Sequence, residues 1–162
     1  MMLKIRTTTT VLVAGCLLTL SAASYAASDW LKGPPEQQLK TLAELQPGLG
    51  TVMIEYAHRF TTMYYSAKGG NWGMADYQLK EMREIQEVGE TTRPGRAKML
   101  KTFESDNLDK LAETIKAKNL KKFDATFKET VTACNSCHAV NKFEFIKYQL
   151  PKVSPSPTSN RP

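Results

Sequence analysis

Cys134-Asn135-Ser136-Cys137-His138 brings nucleophilic and metal-ligating side chains together at a spacing that chemistry uses. Two thiols with an imidazole directly after the second are what covalent attachment of a c-type haem requires. The thiols add across the two vinyl groups on the porphyrin edge, and the histidine reaches the iron from one face. On a helix Cys134 and His138 are one turn apart with Cys137 beside them, so all three address one patch. Two other chemistries use the same residue types. A Cys134–Cys137 disulfide needs only an oxidising compartment, but a thioredoxin-like pair belongs at a strand-to-helix junction of an α/β pattern, and strand-like alternation is scarce here. A zinc ion needs four ligands. Beyond these three the mature chain adds only His58, and adjacent Cys137 and His138 fit one tetrahedron poorly.

The remaining cysteine, Cys16, lies in a different kind of segment. A basic start with Lys4 and Arg6 precedes an apolar run from Val11 to Leu20 and then the small residues Ser21-Ala22-Ala23-Ser24-Tyr25-Ala26-Ala27. That order predicts a secretory signal peptide over residues 1–26, cleaved after Ala26. The run is too short to span a bilayer, which takes about 20 apolar residues, so no stable membrane insertion is expected after cleavage. Val13-Ala14-Gly15-Cys16 also resembles a lipobox, but lipidation there would leave Leu17, Leu18 and Leu20 on the mature chain. Export to a bacterial periplasm is the expectation. It removes Cys16 and leaves both remaining cysteines inside the motif.

Loss of residues 1–26 shortens the chain from 162 to 136 residues, and loss of Lys4 and Arg6 lowers the net charge from +6 to +4. This length suits one domain. The charge is spread among acids such as Glu81, Glu84, Glu87 and Glu90, so no basic stripe for nucleic acid is present. His58 has no nucleophile to activate, and no enzyme activity is expected. Residues 151–162, rich in Pro and Ser, read as a flexible tail.

Residues 27–150 must therefore position the motif, and their pattern is helical. Four segments emerge: Gly48 to Lys68, closed by Gly69-Gly70-Asn71; Trp72 to Glu90; Arg96 to Lys118; and Leu120 to about Gln149. At 100° per residue Met53, Ala57, Phe60 and Tyr64 form the stripe of the first, flanked by Tyr56, Met63 and Ala67. Ala75, Leu79, Met82 and Ile85 line the second, and Leu100, Phe103, Leu111 and Ile115 the third. Leu120, Phe123, Phe127, Val131 and Cys134 line the fourth. Four amphipathic helices with short connections predict an all-α, antiparallel four-helix bundle carrying covalent haem on its C-terminal helix.

A four-helix pattern with Cys-x-x-Cys-His on the last helix resembles the class II c-type cytochromes, the group of cytochrome c′ and its low-spin relatives. The resemblance runs from Gln37 to Leu150. In that family an aromatic and then a basic residue commonly follow the histidine after two positions. Here Lys142 fills the basic position, and Asn141 stands where the aromatic residue is usual. The resemblance implies one haem c, with Cys134 and Cys137 as attachment points and His138 as proximal iron ligand.

Function then turns on the opposite face of the iron. Low-spin members of the family place a methionine there from the first helix, which suits single-electron transfer. Members with an apolar residue in that place leave the iron five-coordinate and open to a small gas such as NO or CO. Met53 is the expected ligand, because it lies on the helix-one stripe and the start of helix one adjoins the end of helix four in an antiparallel bundle. His58 is rotated from it by about 140°, and Met63 lies about 15 Å further along. Met63, Met74, Met82 and Met99 are expected to fill core. Tyr56, Phe60 and Tyr64 have the size to wall a porphyrin, and Lys142 is a candidate partner for a haem propionate. Arg59 reads as a surface charge, and Lys121-Lys122 as a solvated face or a docking patch for an acidic partner. Redox proteins are the expected partners, with a second copy of the chain a further candidate.

Overall fold

The structure is a computed structural model that describes residues 31–154. The expected signal peptide with Cys16 and its expected cleavage site, and residues 155–162 of the expected tail, lie outside the described residues. All regular structure among the described residues is helical: α1 (Pro35–Glu44), α2 (Leu49–Lys68), α3 (Trp72–Thr92), α4 (Pro94–Phe103), α5 (Asp109–Lys116) and α6 (Leu120–Val140), with a π-helical turn (Glu104–Leu108) joining α4 to α5. No helix among them is long and apolar enough to cross a membrane. The chain divides after Leu45 into two compact units. In the first, α1 is a helix that none of the four expected helical segments includes. Pro35 opens it at a position where the missing N–H costs nothing, and none of its residues is buried.

From Gln46 onward each connection follows from local chemistry. Gly69 and Gly70 end α2, with Gly70 at φ +84°, and Asn71 starts α3 by accepting the Met74 N–H at 3.0 Å. The short turn makes α2 and α3 an antiparallel pair. Asn119 caps α6 in the same way, taking the Lys122 N–H at 3.0 Å. Gly89 lets the start of α2 approach α3: a Cβ there would stand 3.0 Å from Leu49 Cδ1 and 3.2 Å from Val52 Cγ1.

The third predicted segment is one continuous helical run interrupted by the π turn. At 100° per residue Leu108 would be turned about 80° from Leu100. The wider π turn advances less per residue and returns Leu108 to the face of Leu100, so that both are buried, together with Leu111 and Ile115. α3 packs on α2, α4 and α5, and α6 packs on α5 and α2. Ring contacts fix the direction of α6. Trp72 and Tyr64 meet Phe123 at one end, and Phe60 stacks on Phe127 further along, so α6 runs antiparallel to α2.

The core joins Phe60, Met63, Leu79, Met82, Leu108, Leu111, Phe123 and Phe127. On α2 its centre is rotated from the predicted stripe. Val52, Tyr56, Phe60, Met63 and Ala67 are buried, with Thr61, Thr62 and Ser66 beside them, because α2 is covered from both sides by α3 and α6. Met53 is half-buried.

The predicted last helix also needs correction. α6 stops at Val140, nine residues before Gln149. Asn141 is its C-cap, Lys142 takes the left-handed conformation at φ +66°, and the Phe143 N–H donates to the His138 carbonyl at 2.9 Å. The Lys142 N–H donates to the Ala139 carbonyl at 3.0 Å, completing a Schellman turn. The chain reverses there, and residues 143–151 return as an irregular strap.

Candidate functional site

Cys134, Cys137 and His138 all lie in the last two turns of α6, each partly buried, and both thiols are free. Burial, helped by the neighbouring Cys137, pushes the Cys134 thiol up to about 12. Burial also raises Cys137, against the lowering influence of Arg96. Both are therefore thiols at neutral pH, and Cys134 is the less reactive. No group of three or more His, Cys, Asp and Glu side chains among the described residues is arranged to cage a metal ion.

His138 is held through one ring nitrogen. Its Nδ1 lies 2.9 Å from the backbone carbonyl oxygen of Ile146 on the strap. A carbonyl oxygen can only accept, so Nδ1 carries the proton and donates it, and in the neutral ring Nε2 keeps its lone pair. That tautomer and that kind of anchor are what a metal-ligating histidine uses.

The strap is secured to the motif itself. The Tyr148 N–H donates to Asn135 Oδ1 at 2.8 Å, and Asn135 Nδ2 donates to the Tyr148 carbonyl at 3.2 Å. The Tyr148 hydroxyl lies 2.9 Å from Thr61 Oγ1, and its ring meets Phe60 edge-on at 5.1 Å. Tyr65 donates to the Pro151 carbonyl.

α4 closes another side. Met99 Sδ is 3.7 Å from Cys137 Sγ and 3.0 Å from Asn141 Nδ2, while Asn141 also donates to the Cys137 carbonyl at 2.7 Å. Arg96 donates to Asn141 Oδ1. Asn141 thus joins α4 to the end of α6 by polar contacts an aromatic residue there could not make. Met99, expected in the core, is a half-buried thioether beside the motif.

Behind the cysteines lies a buried polar cluster. Gln86, fully buried, directs its amide N–H groups toward Glu90 Oε1 (2.9 Å), Glu104 Oε2 (3.0 Å) and the Leu100 carbonyl (3.2 Å). These acceptors turn its oxygen toward the Tyr56 hydroxyl, which donates to it at 3.4 Å. Arg83 pairs with Glu104 and with Asp109 at 2.8 Å. Desolvation by burial, and then the charge Cys134 carries when ionised, raise Tyr56 well above the ordinary tyrosine range.

Met53 lies one turn before Tyr56, toward the α2 terminus at the cysteine end of α6, and Val52 beside it is fully buried. His58, Lys121 and Lys122 are exposed. Arg59 is partly buried and bridges Glu55 at 2.7 Å and Gln78 at 3.2 Å. Lys142 is exposed, and its backbone terminates α6. Sequence reasoning missed Asn135, Tyr148, Met99 and Gln86. Asn141-Lys142, an asparagine near a helix end, was a signal for the strap, because asparagine favours helix termination. No protein-family model, curated protein or solved structure matches this chain.

Proposed function

We propose that this chain is an exported monohaem c-type cytochrome whose helices form a four-helix bundle and which transfers single electrons. The observation that carries the reading is the His138 Nδ1 to Ile146 carbonyl bond of 2.9 Å. It leaves Nε2 as a donor on the same helical patch as the free thiols of Cys134 and Cys137. This donor set fits haem c, with thioether bonds at the two cysteines and Nε2 on the iron. Apolar side chains exposed beside the motif, Val140, Phe143, Phe145 and Ile146, supply surface that a macrocycle can cover. When bound, the group supplies an iron that cycles between ferric and ferrous states. Met53 is the proposed second axial ligand, Lys142 the proposed partner of a propionate, and the aromatic core of Phe60 and Phe127 restricts water behind the site. Redox proteins of the periplasm are the proposed partners.

One observation favours a second reading, a five-coordinate protein that binds NO or CO. Val52, not Met53, holds the fully buried position near the start of α2. Protein made in cells with haem-attachment machinery separates the two. Haem that stays on the denatured chain, with a low-spin spectrum unchanged by CO after reduction, supports electron transfer. A high-spin spectrum with prompt CO binding supports the gas reading, and a chain without covalent haem overturns both.

A further inference from the structure

We propose that Asn135 and Tyr148 are positioning residues for His138, acting through the strap whose Ile146 carbonyl holds the imidazole. The role toward iron rests on the haem reading; the hold on the ring does not. Beyond Val140 the strap has no helix or sheet ladder to fix it. Around the Ile146 carbonyl apolar burial is slight, since Phe145 is 76% and Ile146 48% exposed, and the strap's packed side chains, Tyr148 and Leu150, come only after it. Locally the Ile146 backbone is held by one turn, its N–H donating to the Phe143 carbonyl at 2.8 Å, which by itself does not aim the carbonyl at His138.

What fixes it is a two-point clamp. A single side chain, Asn135, satisfies both backbone groups of Tyr148, accepting its N–H at 2.8 Å and donating to its carbonyl at 3.2 Å. Few residue types fit. The position needs a short side chain with a donor and an acceptor side by side, and the amide supplies both. Asn135 lies in the spacer between the two cysteines, where attachment chemistry asks nothing of it. The Tyr148 side chain adds the second anchor, with its hydroxyl 2.9 Å from Thr61 and its ring against Phe60, so the strap is tied to α2 as well as α6. On the near side, the turn that ends α6 is closed by the Phe143 N–H to His138 carbonyl bond at 2.9 Å. Ile146 is therefore pinned between a Schellman turn and a clamp. Its carbonyl faces Nδ1 because both flanks are fixed.

A strong acceptor at Nδ1 makes the imidazole a better electron donor through Nε2 and favours the more positive, ferric state of a bound iron. Loosening the clamp weakens that acceptor. The test compares wild type, Asn135→Ala, Asn135→Asp and Tyr148→Phe in two forms. With the thiol protein, nitrogen NMR of ring-labelled histidine reads the His138 tautomer. Wild type is expected to hold the proton on Nδ1, and Asn135→Ala to show a mixture; an unchanged tautomer in Asn135→Ala overturns the proposal. With holoprotein, the midpoint potential is expected to shift upward in Asn135→Ala. Asn135→Asp, which keeps only the acceptor half of the clamp, shifts it less, and Tyr148→Phe, which loses only the Thr61 bond, shifts it least. Potentials equal to wild type, accompanied only by lower melting temperatures, would show an ordinary structural role and sink the proposal. If wild type carries no covalent haem the cytochrome reading fails by itself, and the tautomer measurement still decides whether Asn135 and Tyr148 hold the ring.

Discussion

Phe60 on α2 and Phe127 on α6 stack with their ring centroids 4.3 Å apart and their planes inclined by 15°. This contact sets the register of α6 against α2, so the cysteines, two to three turns beyond Phe127, come to lie toward the start of α2. Phe127→Ala should lower the unfolding free energy by about 3–5 kcal/mol through the cavity it leaves. Urea denaturation measures this, and a loss below about 1 kcal/mol would mean that the helices do not meet in this register.

Gly89 separates helix propensity from packing. Alanine is the better helix former by about 1 kcal/mol, but a Cβ at Gly89 would press on Leu49 at 3.0 Å and Val52 at 3.2 Å. Gly89→Ala should therefore destabilise the protein by about 1–3 kcal/mol. Gly50 has no atom within 4 Å of its added Cβ, and Gly50→Ala should stabilise or be neutral. Melting temperatures that moved together would contradict the close approach of α2 and α3.

In the thiol form the fold should be sensitive to alkali. Burial raises Cys134 from 9.0 to about 12, and Tyr148 from 10.0 to about 12. Both groups keep their protons in the native state at pH values where the unfolded chain releases them. The stabilisation is full below about pH 9 and is lost as pH rises toward 12. Urea midpoints measured from neutral pH to about pH 11 should fall, and the fall should be shallower for Cys134→Ser. A flat profile would be inconsistent with these buried groups.

Gln86 meets its acceptors without access to water. Gln86→Leu would leave Glu90 and Glu104 short of a donor and should cost about 1–3 kcal/mol, although the substitution is apolar and of similar size. Thermal unfolding of this variant against wild type checks it, and no loss would mean that the cluster is solvated.

Met53→Ala tests the proposed axial ligand. Low-spin holoprotein should become high-spin and gain CO binding, while haem attachment is unchanged. An unaltered spectrum would remove Met53 from the ligand set and turn attention to Met99, whose Sδ lies 3.7 Å from Cys137 Sγ.

Much of the scaffold was legible from periodicity and punctuation. Gly69-Gly70-Asn71 announced the α2–α3 turn, and Phe123 and Phe127 announced the buried face of α6, because these signals are local. The π turn was not legible: Leu100, Leu111 and Ile115 fit a plain helix well enough to hide a change of register that only packing reveals. Nor was the strap, since Phe143, Phe145 and Ile146 continue an apolar pattern that a left-handed Lys142 interrupts. At the site, residue types and spacing disclosed Cys134, Cys137 and His138. Asn135 and Tyr148 escaped because their bonds join positions 13 residues apart through one side chain and an irregular backbone.

The return of the chain from His138 to Ile146, eight positions on, works as a ruler. One residue added or removed within it would carry the carbonyl past the imidazole or stop it short, while Glu144, Phe145 and Lys147 project outward without bearing on that measurement. The surface beside the motif is thus free to diversify in side-chain chemistry but not in loop length. Descendants of this chain could acquire new contacts there by substitution, and by insertion only at the cost of the histidine.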